Sequence, residues 1–219
     1  MQFIPDTPVG RPSLDLSEDE IAIVSDLLCL GSTEAHTYVT AGMLEVPITT
    51  LVKKAMRRVK RQLSLTNLEI MGEHELLDVN SSSTDVQGRI DIIFKFLHQF
   101  GDEGAYVGVE CKRVADNEPT LNQRYVTQGV DRFASGRYAA GHHWGVMLGY
   151  VIKQPTVRLV KSIDKHLRKG HGEAASLNAT PIHPNCLDMY ASVLQQAGCA
   201  HQISLMHIFV DMTSAANTA

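Results

Sequence analysis

Gly88-Arg89-Ile90-Asp91-Ile92-Ile93-Phe94 opens the part of the sequence that decides the fold, and a second segment completes it: Tyr106-Val107-Gly108-Val109-Glu110-Cys111-Lys112-Arg113. β-Branched and aromatic residues bounded by glycines and charged residues are typical of β-strands. The residues from Gly101 to Gly104 lie between the two segments and have the composition of a turn. The sequence therefore predicts two neighbouring strands with a short connection.

Three ionisable side chains converge in these strands. Side chains alternate between the faces of a strand, so Glu110 and Lys112 share one face. Asp91 lies between Ile90 and Ile92, where burial of an unpaired carboxylate is costly, and a divalent cation is the partner that we expect for it. The alternative is a set of solvated charges at a sheet edge, because a bare Glu-x-Lys occurs by chance in many chains.

Asp, Glu and Lys in this arrangement suit the hydrolysis of phosphodiester bonds. Carboxylates from two strands can hold Mg²⁺, or Mn²⁺ as a substitute, which polarises the scissile phosphate and lowers the pKa of a bound water. Lys112 then orients that water or stabilises the developing charge. The backbone carbonyl of Cys111, between the two functional side chains, is a candidate third oxygen ligand.

The remaining periodicity predicts a layered fold. Apolar residues at helical spacing predict helices from residue 17 to about 31, from 47 to 63, from 121 to 138 and from 156 to 169, with a short helix within 33–42. Further strands are expected at 67–79, 143–152 and 201–211. This order predicts an α/β or α+β sandwich, in which a mixed central β-sheet is flanked by α-helices.

The length of 219 residues, with 44% hydrophobic residues, suits one sizeable core. We therefore expect an N-terminal arm over residues 1–16, a single domain over 17–212 and a flexible tail over 213–219. No apolar run approaches the roughly 20 residues of a membrane span, and the first residues lack the pattern of a secretion signal. A cytoplasmic location without a membrane partner is the expectation.

The cysteines are scattered, without a Cys-x-x-Cys pair; they are Cys29, Cys111, Cys186 and Cys199. This distribution predicts reduced thiols in a cytosolic core and does not favour a structural zinc site.

Basic residues concentrate in two segments although the formal net charge is −4. The first segment contains Lys53, Lys54, Arg57, Arg58, Lys60 and Arg61, and the second contains Arg158, Lys161, Lys165, Arg168 and Lys169. Each segment is either a solvated helix face or a surface that contacts phosphate. Beside a metal site, contact with phosphate is the better interpretation, and Lys53 and Arg57 are then candidates for substrate binding.

The two strand segments resemble the PD-(D/E)XK superfamily of restriction-endonuclease-like nucleases. The resemblance lies in Gly88–Ile92, in Val109–Arg113, and in Tyr125–Phe133 followed by Gly136–Tyr138. The last string is similar to a segment of nucleases from bacterial restriction and anti-phage defence loci. Glu45-Val46-Pro47-Ile48, at the start of the second helix, resembles the first core helix of the family.

The resemblance implies a restriction-endonuclease-like core and a role for each matching residue. Asp91 and Glu110 would be metal ligands, Lys112 the catalytic lysine and Glu45 an auxiliary ligand. Substrate contacts would come from Gln128 and from Tyr125 or Arg132.

The implied activity is that of a Mg²⁺-dependent DNA endonuclease in a restriction or anti-phage defence system. A homodimer, or a complex with a partner subunit, is the assembly that this activity would favour. The alternative is a catalytically silent subunit that uses the same scaffold to bind nucleic acid or a partner.

Overall fold

The structure, a computed structural model, describes residues 14–77, 86–200 and 202–213. Most of the predicted arm over 1–16, most of the predicted tail over 213–219 and the last two residues of the predicted strand over 67–79 lie outside these ranges. The helices are α1 (Glu18–His36), α2 (Glu45–Gln62), α3 (Pro119–Tyr125), α4 (Asp131–Ala134) and α5 (Thr156–His171). The strands are β1 (Leu68–Leu77), β2 (Val86–Phe96), β3 (Val107–Ala115), β4 (Trp144–Lys153), β5 (Asn178–Ala179), β6 (Asp188–Gln195) and β7 (Gln202–Asp211).

The described strands form one mixed sheet in the order β1-β2-β3-β4-β7-β6-β5. The three central strands β3, β4 and β7 run parallel, and the outer pairs are antiparallel. Parallel neighbours need a crossover, and the helices α3 to α5 provide it between β3, β4 and β7. The prediction of an α/β fold with a mixed central sheet flanked by helices is confirmed.

Helices cover both faces of the sheet, and each layer has its own apolar core. On one face, α1 and α2 pack on a set that includes Val109, Cys111, Leu148 and Ile208. On the other face, the segment from α3 to α5 packs on a set that includes Val114, Met147, Val151 and Phe209. Burial on both faces explains why β4 and most of β7 are almost continuously apolar, whereas β3 contains the charged residues Glu110, Lys112 and Arg113.

The helix α1 continues beyond its predicted end. Its start has the expected capping box. The Ser17 side chain accepts the backbone N–H of Glu20, and the Glu20 carboxylate accepts the backbone N–H of Ser17. The helix runs through Gly31 to His36, so the prediction of a stop near Gly31 and of a separate helix within 33–42 was wrong. A Cβ on Gly31 would lie 2.4 Å from Met56 Cγ. The glycine therefore permits close packing of α1 on α2 and does not end the helix.

Two other elements differ from the sequence prediction. The helix expected over 121–138 is divided into α3, a π-helical segment Val126–Val130 and α4. Within that segment, a Cβ on Gly129 would lie 2.4 Å from Met147 Cε, so the missing side chain lets the segment approach β4 closely. The strand β6 was not predicted, because its buried residues Met189, Ser192 and Leu194 do not alternate regularly.

The cysteines also contradict the prediction. A disulfide joins Cys29 in α1 to Cys186 in the loop before β6, across a sequence separation of 157 residues. Free thiols remain at the buried Cys111 and the half-buried Cys199. The expectation of four reduced thiols was wrong, because the packing of α1 against that loop cannot be read from cysteine spacing. None of the helices in the described ranges has the length and apolar character of a membrane span.

We predict that Gly31→Ala lowers the free energy of unfolding by about 1–3 kcal/mol, because the new methyl group has no room beside Met56. Urea denaturation measures this change. The matched control is Gly170→Ala in α5, where a Cβ meets nothing within 4 Å. The control should gain up to roughly 1 kcal/mol from helix propensity alone. Equal stabilisation by both substitutions would show that the contact between Gly31 and Met56 is not tight.

Candidate active site

The candidate site lies where β2 and β3 separate. The two strands pair over Ile92–Phe94 and Val107–Val109. Asp91 is the next residue of β2, and its Oδ2 atom accepts the backbone N–H of Cys111 at 2.8 Å. A carboxylate thus takes the place of a backbone partner in the gap between the strands.

The ammonium group of Lys112 is surrounded by oxygen atoms in this gap. Its Nζ atom donates to Glu110 Oε1 at 2.6 Å, to the carbonyl oxygen of Cys111 at 2.8 Å and to Glu45 Oε1 at 3.0 Å. Glu110 is fully buried and Lys112 is 8% exposed. Burial strengthens these charged interactions, because little water screens them.

Glu45 reaches the cluster because α2 begins beside β3. Glu45 is the first residue of α2, and its Oε2 atom accepts the backbone N–H of Arg113 at 3.1 Å. The Arg113 side chain donates to the carbonyl oxygen of Met43, just before the helix, at 3.2 Å. Through these two contacts, Arg113 in β3 holds both the first residue of α2 and the backbone just before the helix. A carboxylate also suits the positive end of the helix dipole.

The two oxygen atoms of Glu110 have different surroundings. Oε1 accepts from Lys112 and also from Arg132 Nη1 at 2.6 Å. Oε2 is buried and has no hydrogen-bond partner among the described residues. A buried oxygen without a partner is rare in folded proteins. Oxygen atoms are the ligands that Mg²⁺ prefers, so Oε2 is a candidate ligand, but in the described residues the oxygens of Asp91, Glu110 and Glu45 do not all lie within 4.8 Å of one another.

Arg132 is itself fixed by an aromatic residue. Its Nη1 atom donates to the hydroxyl of Tyr138 at 2.8 Å, and its guanidinium carbon lies 5.2 Å from the centre of the Tyr138 ring. The Tyr138 hydroxyl donates in turn to the carbonyl oxygen of Arg89 in β2. This chain of contacts connects Glu110 in β3 to the strand that carries Asp91.

Burial and mutual repulsion shift the pKa values of the carboxyl groups upward. Burial, followed by the nearby charge of Asp91, raises the pKa of Glu110 to about 8, although Lys112 and Arg132 partly offset it. Burial likewise raises the pKa of Asp91. For Lys112, burial favours a lower pKa, but the three carboxylates outweigh it and the pKa is raised. Lys112 therefore stays protonated.

Gln128 and Tyr125, two of the predicted substrate contacts, differ in where they lie relative to the candidate site. Gln128 is exposed in the π-helical segment, and a Cβ on its neighbour Gly129 would lie 3.5 Å from Lys112 Cγ. Gln128 therefore lies on a segment that borders the site. Tyr125 is fully buried and its hydroxyl is hydrogen-bonded to His207 Nδ1 at 2.9 Å. The prediction that Tyr125 contacts substrate was wrong, because its side chain faces the core.

The basic residues of α2 lie over β1. Lys53 Nζ is 2.6 Å from the position of a Cβ on Gly72, and Gly72 pairs with Ile92, the neighbour of Asp91. Arg57 donates to the carbonyl oxygen of Ile70 at 3.2 Å. A surface cavity of about 330 Å³ continues this basic surface, and its lining residues are Arg57, Lys60, Arg61, Glu69, Ile70 and Met71.

Two of the five basic residues in the second segment, Arg158 and Arg168, instead pair with acidic ones. Arg158 pairs with Asp116 at 2.7 Å, and Arg168 pairs with Asp164 at 3.0 Å. These contacts favour the interpretation of the second basic segment as a solvated helix face.

Sequence reasoning missed Arg113 and Tyr138 as supporting residues of the site. Arg113 follows Lys112 directly and so belongs to the opposite face of the strand, and its role depends on where α2 begins. Tyr138 closes the string Gly136–Tyr138 that carried part of the family resemblance. That string was the available signal for it, but its contact with Arg132 requires the turn after α4.

Comparisons with known proteins give no relative: no family model, no curated protein and no solved structure matches this chain. The choice of an activity therefore depends on the geometry of the cluster.

We predict that Lys112→Met lowers the free energy of unfolding by about 3–5 kcal/mol without divalent cations, because buried carboxylates lose their cation. The loss should grow as the pH rises through about 8, where Glu110 ionises. Urea denaturation at several pH values in EDTA measures it. The control Lys161→Met, at an exposed position of α5, should change stability by less than about 0.5 kcal/mol. A loss independent of pH would contradict this electrostatic explanation.

A second prediction concerns His207, which also bonds Ser192 Oγ at 2.8 Å. Burial lowers the pKa of His207 to about 3. The unfolded chain therefore binds a proton at higher pH than the folded one, and stability is lost as the pH falls below about 6.5. Between pH 7 and pH 5 this residue should cost about 2 kcal/mol. Urea denaturation should show that His207→Gln lacks this loss, whereas His166→Gln in α5 retains it.

Proposed function

We propose that this chain is a Mg²⁺-dependent nuclease with a restriction-endonuclease-like core, acting as a DNA endonuclease in a restriction or anti-phage defence system. One observation carries the proposal. Asp91, Glu110, Glu45 and the Cys111 carbonyl converge where β2 and β3 separate, with the ammonium of Lys112 among them. Carboxylates with an adjacent ammonium are the groups that phosphodiester hydrolysis requires.

Among the described residues, the carboxylate oxygens of Asp91, Glu110 and Glu45 do not all lie within 4.8 Å of one another, and the Lys112 ammonium bonds both Glu45 and Glu110. A divalent cation would therefore have to draw the three carboxylates together in place of that ammonium. Asp91, Glu110 and Glu45 would hold it with the Cys111 carbonyl, and the buried Glu110 Oε2 offers an oxygen that no described hydrogen bond uses. When bound, Mg²⁺ or its substitute Mn²⁺ supplies polarisation of the scissile phosphate and a water of lowered pKa. In the structure the Lys112 ammonium contacts two of these carboxyl groups, Glu45 at 3.0 Å and Glu110 at 2.6 Å.

Lys112 would act as a cationic hydrogen-bond donor. Its pKa is raised by the three carboxylates, so its Nζ atom keeps its protons. All three N–H groups are used within the cluster, so one of these bonds would be exchanged for a bond to an oxygen of the phosphate as negative charge develops there. Arg132 holds Glu110 Oε1 and thereby fixes the orientation of the carboxylate. Arg132 is in this account a positioning residue, in place of the substrate contact that the resemblance implied.

Residues around the cluster would bind the nucleic-acid backbone. Lys53 and Arg57 lie over β1 on one side of Asp91, and Gln128 is exposed on the segment that borders Lys112. Contacts between basic side chains and phosphate supply most of the affinity for DNA. Cleavage of both strands of a duplex would favour a homodimer or a partner subunit of a defence complex, within the cytoplasm.

The proposal is tested by incubating the purified chain with plasmid and single-stranded DNA in Mg²⁺, in Mn²⁺ or in EDTA. We expect cleavage with either cation and none in EDTA. Asp91→Asn, Glu110→Gln and Lys112→Met should each lower the cleavage rate by about 10²-fold or more. Each substitution removes an ionisable side chain that would act on the reacting phosphate, directly or through the cation.

The matched control is Glu103→Gln, an exposed carboxyl in the turn between β2 and β3, which should cleave at the unaltered rate. Circular dichroism of each variant would show that the fold is retained. Tight DNA binding without cleavage under every cation would reject the nuclease and support the alternative of a silent binding subunit. Absence of both binding and cleavage would reject the two together.

A further inference from the structure

A second group of metal-ligand side chains lies apart from the carboxylate cluster. The thiol sulfurs of Cys29 and Cys186 and a ring nitrogen of His183 all lie within 4.8 Å of one another. Cys29 belongs to α1, and the other two residues belong to the loop before β6. Two cysteines and a histidine form a typical ligand set for zinc. In the structure the two sulfurs are joined as a disulfide.

The loop arranges two of these side chains in one tight turn. The backbone N–H of Cys186 donates to the carbonyl oxygen of His183 at 2.9 Å, which closes a β-turn over His183-Pro184-Asn185-Cys186. Thr33 Oγ1 donates to the carbonyl oxygen of Asn185 at 3.4 Å and so joins the turn to α1, four residues after Cys29. The turn and α1 therefore hold the side chains of Cys29, His183 and Cys186 close to one another.

The imidazole of His183 has a polar partner at each ring nitrogen. Its Nδ1 atom accepts the backbone N–H of Asn185 at 3.1 Å, so Nδ1 carries no proton. The proton is then on Nε2, which lies 3.2 Å from Asp26 Oδ1, three residues before Cys29 in α1. Histidine ligands of metals usually donate their second N–H to a carboxylate in this way. Nδ1 could then bind a cation only after it releases the Asn185 N–H, with Nε2 still donating to Asp26.

We propose that the reduced chain binds one zinc-class cation through Cys29, Cys186 and His183, with water as the fourth ligand. The disulfide and the cation are then alternative occupants of the same cluster. A dithiol reduces the disulfide to two thiols and is itself oxidised to a disulfide. Binding of Zn²⁺ by the two thiols then releases two protons to solvent.

Either occupant connects α1 to the loop before β6. The disulfide closes this connection across 157 residues of sequence, and a bound cation would close it again after reduction. The site is independent of the proposed nuclease activity, because it uses none of the residues of the carboxylate cluster.

The test uses the full chain reduced with a phosphine, which introduces no competing thiol. Co²⁺ is the spectroscopic probe, because thiolate ligands give an intense charge-transfer band in the near ultraviolet and tetrahedral ligands give strong visible bands. We expect both sets of bands to saturate at one Co²⁺ per chain and to disappear when Zn²⁺ is added. Zn²⁺ should also raise the thermal midpoint of the reduced chain towards that of the oxidised chain.

His183→Asn is the matched variant, because its side-chain oxygen can accept the Asn185 N–H in place of Nδ1. It should keep the thermal midpoint of the oxidised chain, since the disulfide still forms, and should bind Co²⁺ at least about tenfold more weakly when reduced. Cys29→Ser should lose both the oxidised stability and the thiolate band. Cys199→Ser removes a thiol outside the cluster and should change neither.

Two results would overturn the proposal. The first is a reduced wild-type chain without the thiolate band at saturating Co²⁺. The second is a band that Cys199→Ser abolishes or that His183→Asn leaves at full affinity. Binding of Co²⁺ at the carboxylate cluster would give no thiolate band and would respond to Glu110→Gln, so failure here is distinguishable from failure of the nuclease proposal.

Discussion

The hydrogen bond from Lys112 to Glu110, which becomes an ion pair above the pKa of about 8 of Glu110, is the interaction on which the rest of the site depends. Both groups are buried, and an isolated charge at either position would be strongly disfavoured. Glu45 extends the pair to the start of α2, and Arg132 extends it to the segment after the π-helical turn. Helices from both faces of the sheet therefore meet at one charged cluster in the gap between β2 and β3.

The sheet makes this gap possible because two antiparallel strands separate while their outer neighbours stay paired. β1 continues to pair with β2 past Asp91, and β4 continues to pair with β3 past Lys112. The backbone around the cluster is thus held from outside, and the Asp91 carboxylate satisfies the Cys111 amide that the separation exposes. Within the described part of the chain, the same arrangement leaves Glu110 Oε2 without a hydrogen-bond partner, which is the feature that most favours a bound cation.

Much of this arrangement could be predicted from short-range patterns in the sequence. Alternation along β3 gives the common face of Glu110 and Lys112, and helical spacing gives α2 and α5, because both periodicities are properties of the backbone. Features that depend on neighbours far along the chain could not be predicted. Gly31 was expected to end a helix and is a packing position. Tyr125 was expected to contact substrate and is buried against His207, and β6 lacks regular alternation.

The sequence by itself determined the class of fold, the two strands that carry Asp91, Glu110 and Lys112, and a helix over about 47–63, which in the structure begins two residues earlier at Glu45. These follow from side-chain periodicity and from the cost of burying a lone charge, which act over a few residues. The tertiary structure decided which of these groups meet: it brought α2 to β3, turned Arg132 onto Glu110 and joined Cys29 to Cys186. Contacts between residues distant in sequence depend on how whole helices pack on the sheet, and no local pattern encodes that.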